Sequence, residues 1–225
     1  MHTNIYLIRH GEVVFEKDTQ GRKLIYFSTA HLAPLGITQL HKPGLELKKE
    51  HVFLETLVVS PYIRAQESAV ILQKELGVTF FYTEEDLKDV YPNSWEGFPF
   101  DEYLLHGGDG YSHPRTAYQE SLEHIVKRGR HVIEKIIQKN EGHTIGIVSH
   151  GDLLSALHWA LKFKDIIPMG YKEMIKSFYL QKGQAYHIVV NSSFQIVGNG
   201  RFITVAEVHQ STEDFRNSTP QKTTV

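Results

Sequence analysis

Cysteine is missing from all 225 residues. Its absence excludes disulfides, thiolate metal sites and a cysteine nucleophile, and it fits a reducing compartment. Long apolar runs are missing too, since none approaches the roughly 20 residues needed to cross a bilayer. The opening MHTNIYLIRHGE has no basic stretch followed by a long apolar one, so no secretory leader is visible and the chain reads as cytoplasmic. Charge of one sign is also scarce. With 24 Lys and Arg against 26 Asp and Glu the formal net charge is -2, which points to no nucleic-acid partner and no membrane partner. What is present is ordinary globular material: 41% hydrophobic and 22% charged residues, sufficient for a core of useful size.

Three short β-rich runs, at 5–8, 57–59 and 144–148, and a weaker one at 78–82, are separated by helical patterns. One helix is expected to open with Ser60 as its cap and Pro61 in its first position, with Ala65, Ala69, Leu72 and Leu76 on one face before Gly77. A second is expected over about 117–140, with Leu122, Ile125, Val132, Ile133, Ile136 and Ile137 inside. A third follows Gly151 through Leu154, Leu157, Trp159 and Leu161. Pro43-Gly44 is expected to kink or break the helical stretch 34–49. Residues 162–190 permit a helix or a hairpin, and a late hairpin is expected from 194–197 and 202–208 around Gly198-Asn199-Gly200. This alternation predicts an α/β fold: a three-layer sandwich with a mainly parallel central sheet and helices on both faces. Residues 84–116, rich in Gly, Pro, aromatics and acids, read as an inserted cap on one domain of residues 1–209. The polar tail 210–225 reads as disordered.

Three polar clusters stand directly after predicted strands: Arg9-His10-Gly11-Glu12, Ser60-Pro61-Tyr62-Ile63-Arg64 and Ser149-His150-Gly151-Asp152. In an open parallel sheet the strand C-termini share one edge, where ligands bind. Two Arg, two His and nearby helix N-termini therefore converge on an anion site. Arginine presents a planar charged fork suited to phosphoryl oxygens. A neutral imidazole is a nucleophile that can form a covalent intermediate. A second His can donate to the equatorial oxygens of the transition state. Gly11 and Gly151 permit close backbone approach to the anion.

These residues resemble the histidine phosphatase superfamily, in its phosphoglycerate-mutase-like branch, over about residues 4–208. The Arg-His-Gly signature is matched by Arg9-His10-Gly11 with Glu12, the Ser-Pro-x-x-Arg-Ala element by Ser60, Pro61, Arg64 and Ala65, and the second-His motif by Ser149-His150-Gly151. Glu120, Ser121 and Arg128 match a further element, and Asn191-Ser192-Ser193 another. The resemblance implies that His10 is phosphorylated, that Arg9 and Arg64 clamp the phosphoryl group, that His150 helps hold it, and that Glu12 belongs to the same phosphate-binding set. It implies Asp89, in Leu87-Lys88-Asp89 ahead of Trp95-Glu96-Gly97, as the proton donor where Glu is more usual; Glu12, Glu84, Glu85 and Glu96 are nearby alternatives. No metal and no cofactor are implied, and the partner is a small phosphorylated substrate.

The first loop departs from the family pattern, with Val13 and Glu16 where Thr and Asn are frequent; Glu16 would repel a second anion if it pointed inward. Trp95 reads as packing rather than substrate contact. The aromatics Tyr91, Phe98, Phe100, Tyr103 and Tyr111 either line a pocket or form the small core of the cap. The 14 His include no zinc-protease spacing and read as scattered surface groups. A phosphatase is the expected activity. A phosphomutase and a phosphate-binding protein without turnover are the alternatives, and the oligomeric state is open.

Overall fold

Strand β1, His2–Arg9, lies inside the sheet of the computed structural model, which describes residues 1–203. The other strands are β2 (Thr56–Val59), β3 (Phe81–Thr83), β4 (Thr144–Ser149), β5 (Ala185–Asn191) and β6 (Arg201–Ile203). Among the described residues the order is β3-β2-β4-β1-β5-β6. The first four in that order run parallel, and β5 and β6 are antiparallel additions at one edge. Helices α1 (Pro34–Lys49) and α2 (Ile63–Leu76) pack on one face; α4 (Leu122–Lys139) and α5 (Gly151–Phe163) pack on the other. The expected mainly parallel sandwich is present. No helix among the described residues is long and apolar enough to cross a membrane.

Side-chain alternation explains why the central strands are apolar throughout. Ile5 and Leu7 join the cluster under α4 and α5, while Tyr6 and Ile8 join the one under α1 and α2. Val58 faces the first of these layers, and Leu57 and Val59 the second. Both faces are covered, so every residue at 5–8, 57–59 and 145–148 is buried.

Several element boundaries differ from expectation. Helix α2 begins at Ile63, not at Ser60 and Pro61, because the Ser60 hydroxyl is engaged elsewhere, by the Tyr62 N–H and the His150 ring. Helix α4 begins at Leu122, where Ser121 accepts the His124 N–H; the preceding Gln119 and Glu120 instead bond to residues 91–94. Helix α1 runs unbroken through Pro43. Pro43 and Gly44 are buried there, and a Cβ on Gly44 would lie 3.1 Å from the Glu75 Cβ, so packing against α2 offsets the lost hydrogen bond. The late hairpin pairs β5 with β6, while Ile196 makes only an isolated bridge to Val190. Its expected extension past 203 and the tail 210–225 lie outside the described residues. Between α5 and β5 the chain forms helix α6, Tyr171–Ser177.

Residues 84–116 hold a single 3-10 turn, Glu85–Leu87, and helix α3, Phe100–Leu105. This cap has a second part that sequence patterning did not reveal. The loop after β1 reaches it through the Ile25 N–H donating to the Phe98 carbonyl at 2.8 Å and the Phe100 N–H donating to Lys23 at 2.8 Å. Ile25, Trp95 and Tyr103 bury one another, with Phe100 packed against them.

Candidate active site

The ends of β1, β4 and β2 are level because their register pairs Arg9 with Ser149 and Val59 with Val148. The His10 N–H then donates to Ser149 and the Ser60 N–H to Val148, each at 3.0 Å, so the three polar clusters emerge side by side. Gly11 is required at this point by the close approach of another segment. A Cβ there would meet the Gly36 carbonyl oxygen at 2.3 Å, where α1 begins. A Cβ on Gly151 would likewise lie 2.6 Å from the Tyr179 hydroxyl.

His10 is fully buried. Its Nδ1 lies 2.7 Å from the Gly11 carbonyl, an oxygen that only accepts, so Nδ1 carries the ring proton. The other nitrogen, Nε2, is therefore the one with a lone pair, and it lies 3.3 Å from the Arg64 Nε. Arg64, itself buried, spreads its remaining nitrogens to the Phe27 carbonyl at 3.1 Å and the Asp89 carboxylate at 3.2 Å. Its guanidinium is sandwiched by Tyr26 and Tyr62, at 4.8 and 4.9 Å from the ring centroids. Arg9 donates to the Leu180 carbonyl at 2.8 Å and lies over the Tyr179 ring.

The His150 ring centroid is 5.1 Å from that of His10. Its Nε2 is 2.7 Å from the Ser60 hydroxyl, which also accepts the Tyr62 N–H. Its Nδ1 has no hydrogen-bond partner and lies 3.7 Å from the Asp89 carboxylate. Burial drives both imidazoles well below the ordinary histidine pKa, reinforced by Arg64 and Arg9. Both rings are neutral at pH 7, and His10 offers the Nε2 lone pair.

Asp89 arrives by a separate route. The Glu84 N–H bonds to Val59, Ser149 donates to the Leu87 carbonyl at 2.9 Å, and Arg128 donates to the carbonyls of Asp86, Lys88 and Asp89 at 2.7 to 2.9 Å. Arg128 is held by the buried Glu120, so the Glu120, Ser121 and Arg128 element positions the acid-bearing loop. Half-buried Glu96 is close by. Burial, then the charge of Asp89, raise its pKa above the usual carboxylate value.

Glu12 is placed differently from the other expected site residues. Its carboxylate is paired with Lys182 and accepts the Val13 N–H. The lysine neutralises that carboxylate beside the site. Glu16 is exposed. Trp95 is 1% exposed and donates to the His113 carbonyl, as packing requires, yet one face of it lines the cavity beside the site. Of the five aromatics, Phe100 and Tyr103 belong to the core of the cap and also line the cavity, Tyr111 lines the cavity, and Tyr91 and Phe98 are exposed and do neither. Sequence reasoning missed Tyr26, Phe27, Tyr179 and Lys182, which stand in stretches with no periodic pattern. Among the described residues no group of three or more His, Asp or Glu side chains is arranged to hold a metal ion.

The chain is similar to several known proteins. The model of the histidine phosphatase superfamily (branch 1) matches residues 5–169. Phosphoglycerate mutase-like protein 4 of Arabidopsis thaliana is 25% identical over 169 residues, covering 70% of each chain. Among solved structures, Bacillus stearothermophilus YhfR is 25% identical with a TM-score of 0.69, covering 87% of this chain and 94% of that one. A phosphoserine phosphatase from Entamoeba histolytica, in complex with 3-phosphoglyceric acid, is 25% identical with a TM-score of 0.65, covering 91% and 98%. With its motifs in order and its model matched over most of its length, the chain belongs to the histidine phosphatase superfamily.

Proposed function

We propose that the protein is a phosphomonoesterase that works in two steps through a phosphohistidine at His10. Its substrate is a small phosphorylated metabolite. The observation that carries this reading is the His10 imidazole, buried, neutral and fixed with its Nε2 lone pair directed to the Arg64 side. In the first step Nε2 attacks phosphorus as the ester oxygen leaves opposite to it, with Asp89 supplying the proton. Arg9, Arg64 and His150 hold the equatorial oxygens as charge spreads over them. In the second step a water deprotonated by the same carboxylate attacks the phosphohistidine, releasing phosphate and restoring the ring. The reaction needs no metal and no dissociable cofactor. Its phosphatase character is supported by the family and by the Entamoeba histolytica phosphoserine phosphatase.

The test is turnover of p-nitrophenyl phosphate together with trapping of an acid-labile, base-stable phosphoprotein. Both are expected in the native protein. In His10→Ala the label should vanish and the rate should fall at least ~10³-fold, more than the loss of one charge-stabilising donor would cause. Turnover retained in that variant would end the proposal.

A further inference from the structure

A second cavity, of about 800 Å³, opens at the opposite end of the sheet from the phosphoryl site. Strand β5 runs antiparallel to β1 and pairs Asn191 with His2, so Asn191 stands at the far end of β1 from Arg9. Helix α5 leads from Gly151 to this cavity, where His158, Leu161 and Lys162 line one wall. Ser177 and Phe178, at the end of α6, and the turn between β5 and β6 supply the rest. The volume falls within the roughly 300–1,000 Å³ usual for small-ligand sites.

Unused hydrogen-bonding capacity sets this cavity apart from a surface groove. His158 is 6% exposed, yet its Nδ1 has no partner, and neither has the buried Ser177 hydroxyl. Buried polar atoms left so are uncommon in folded proteins. The His150 Nδ1 and the Tyr62 hydroxyl, at the phosphoryl site, are in the same condition. Burial, then the charge of Lys162, lower the His158 pKa to about 4, so at pH 7 its ring donates from one nitrogen and accepts at the other.

A bank of rings adjoins these atoms. Phe178 stacks on His158 with centroids 4.2 Å apart, Tyr186 lies 4.8 Å from Phe178, and partly exposed Phe202 lies 4.8 Å from Tyr186. Among the described residues Lys162 and Lys164 line the cavity with no carboxylate beside them. Asp165, next in the chain, is paired with Arg130. The partial negative charge at the end of α5 offsets only part of the two positive ones.

We propose that this cavity is a second ligand site, for a planar heteroaromatic ring carrying a carboxylate or phosphate. The rings offer faces for stacking, His158 and Ser177 meet the ring heteroatoms, and the two lysines hold the acid. Nothing in this assignment depends on turnover at His10.

Indole-3-acetate carries the ring, an N–H and a carboxylate; indole-3-acetamide lacks the charge and cyclohexylacetate lacks the ring. AMP, measured on His10→Ala with adenosine as its uncharged control, puts a phosphate in place of the carboxylate. Amide shifts of nitrogen-15-labelled protein locate each probe, since residues 9–11, 64 and 149–151 report one site and 158, 177–178 and 200–202 the other. Indole-3-acetate or AMP should move the second group and bind about tenfold tighter than its controls. The arm that does so names the acid. Reversing both exposed lysines, Lys162→Glu with Lys164→Glu, should abolish that preference while the amide shifts of the sheet stay in place. His158→Phe keeps a stacking ring, removes both nitrogens and should weaken binding severalfold. The proposal is overturned if neither acid moves the second group, if charge and ring make no difference to affinity, or if both variants bind as the native protein does.

Discussion

Three imidazoles, at positions 10, 150 and 158, are held neutral by burial, and this links the site to acid stability. His158, expected on the surface with the other histidines, is instead 6% exposed and stacked on Phe178, with its pKa lowered to about 4. Above pH 6.5 these rings are neutral whether the chain is folded or not, and they contribute nothing to pH dependence. Below it the unfolded chain takes up protons that the folded one refuses, so stability is lost as pH falls from 6.5 toward each folded value. For His158 that window closes near pH 4 and the loss is on the order of 3 kcal/mol. Urea unfolding should show stability falling from pH 7 to pH 4.5, and His158→Leu should remove a share of that fall. The proton donor can be tested at the same scale. Asp89→Asn should lower turnover of an alkyl phosphate by roughly 10²–10⁴. It should lower p-nitrophenyl phosphate turnover far less, since nitrophenolate leaves without a proton. If Glu96→Gln shows that pattern and Asp89→Asn does not, the role passes to Glu96, whose raised pKa suits it to carry a proton.

Between elements, one arginine ties a helix to the acid-bearing loop. Arg128 on α4 meets the fully buried Glu120 carboxylate and three loop carbonyls. Arg128→Ala removes the guanidinium from that buried carboxylate, leaving it the Tyr91 N–H and the His124 ring, a defect worth about 3–5 kcal/mol. Urea unfolding should show the loss, and kcat should fall although residue 128 touches no substrate, because the Asp89 backbone loses its anchor. The elements around this tie were legible to different degrees. The core faces of α2, α4 and α5 and the three post-strand clusters followed from apolar spacing and from the rule that ligands meet parallel strands at their C-termini. The starts of α2 and α4 did not, because Ser60 and Ser121 are equally good caps by composition, and only the fold brings His150 to Ser60. Pro43 misled for a similar reason: its tolerance comes from a partner helix that local sequence does not show.

At the scale of the whole molecule, a large two-faced core supports a cap with a core of its own, limited to Ile25, Trp95 and Tyr103 with Phe100. So small a cluster opens more readily than the sheet beneath it. Trp95→Ala should therefore raise hydrogen exchange at the Ile25, Gly97 and Phe100 amides at least tenfold and raise KM. The urea midpoint of the main transition should move little. Equal loss of protection in β1 and β4 would show instead that cap and core unfold together. The cap was the least legible region because it joins two distant segments, 23–27 and 97–100, neither of which has a period. Tyr26, which stacks on Arg64, was unreadable for that reason, whereas Arg64 itself stood in a recognisable frame.

The Gly11 carbonyl occupies the Nδ1 proton of His10, so under the proposed mechanism it dictates which isomer of phosphohistidine forms. The phosphorus–nitrogen bond would be to Nε2, the τ position, with the π isomer blocked by a neighbour's main chain. Reagents that separate the two isomers should detect only the τ form on this protein.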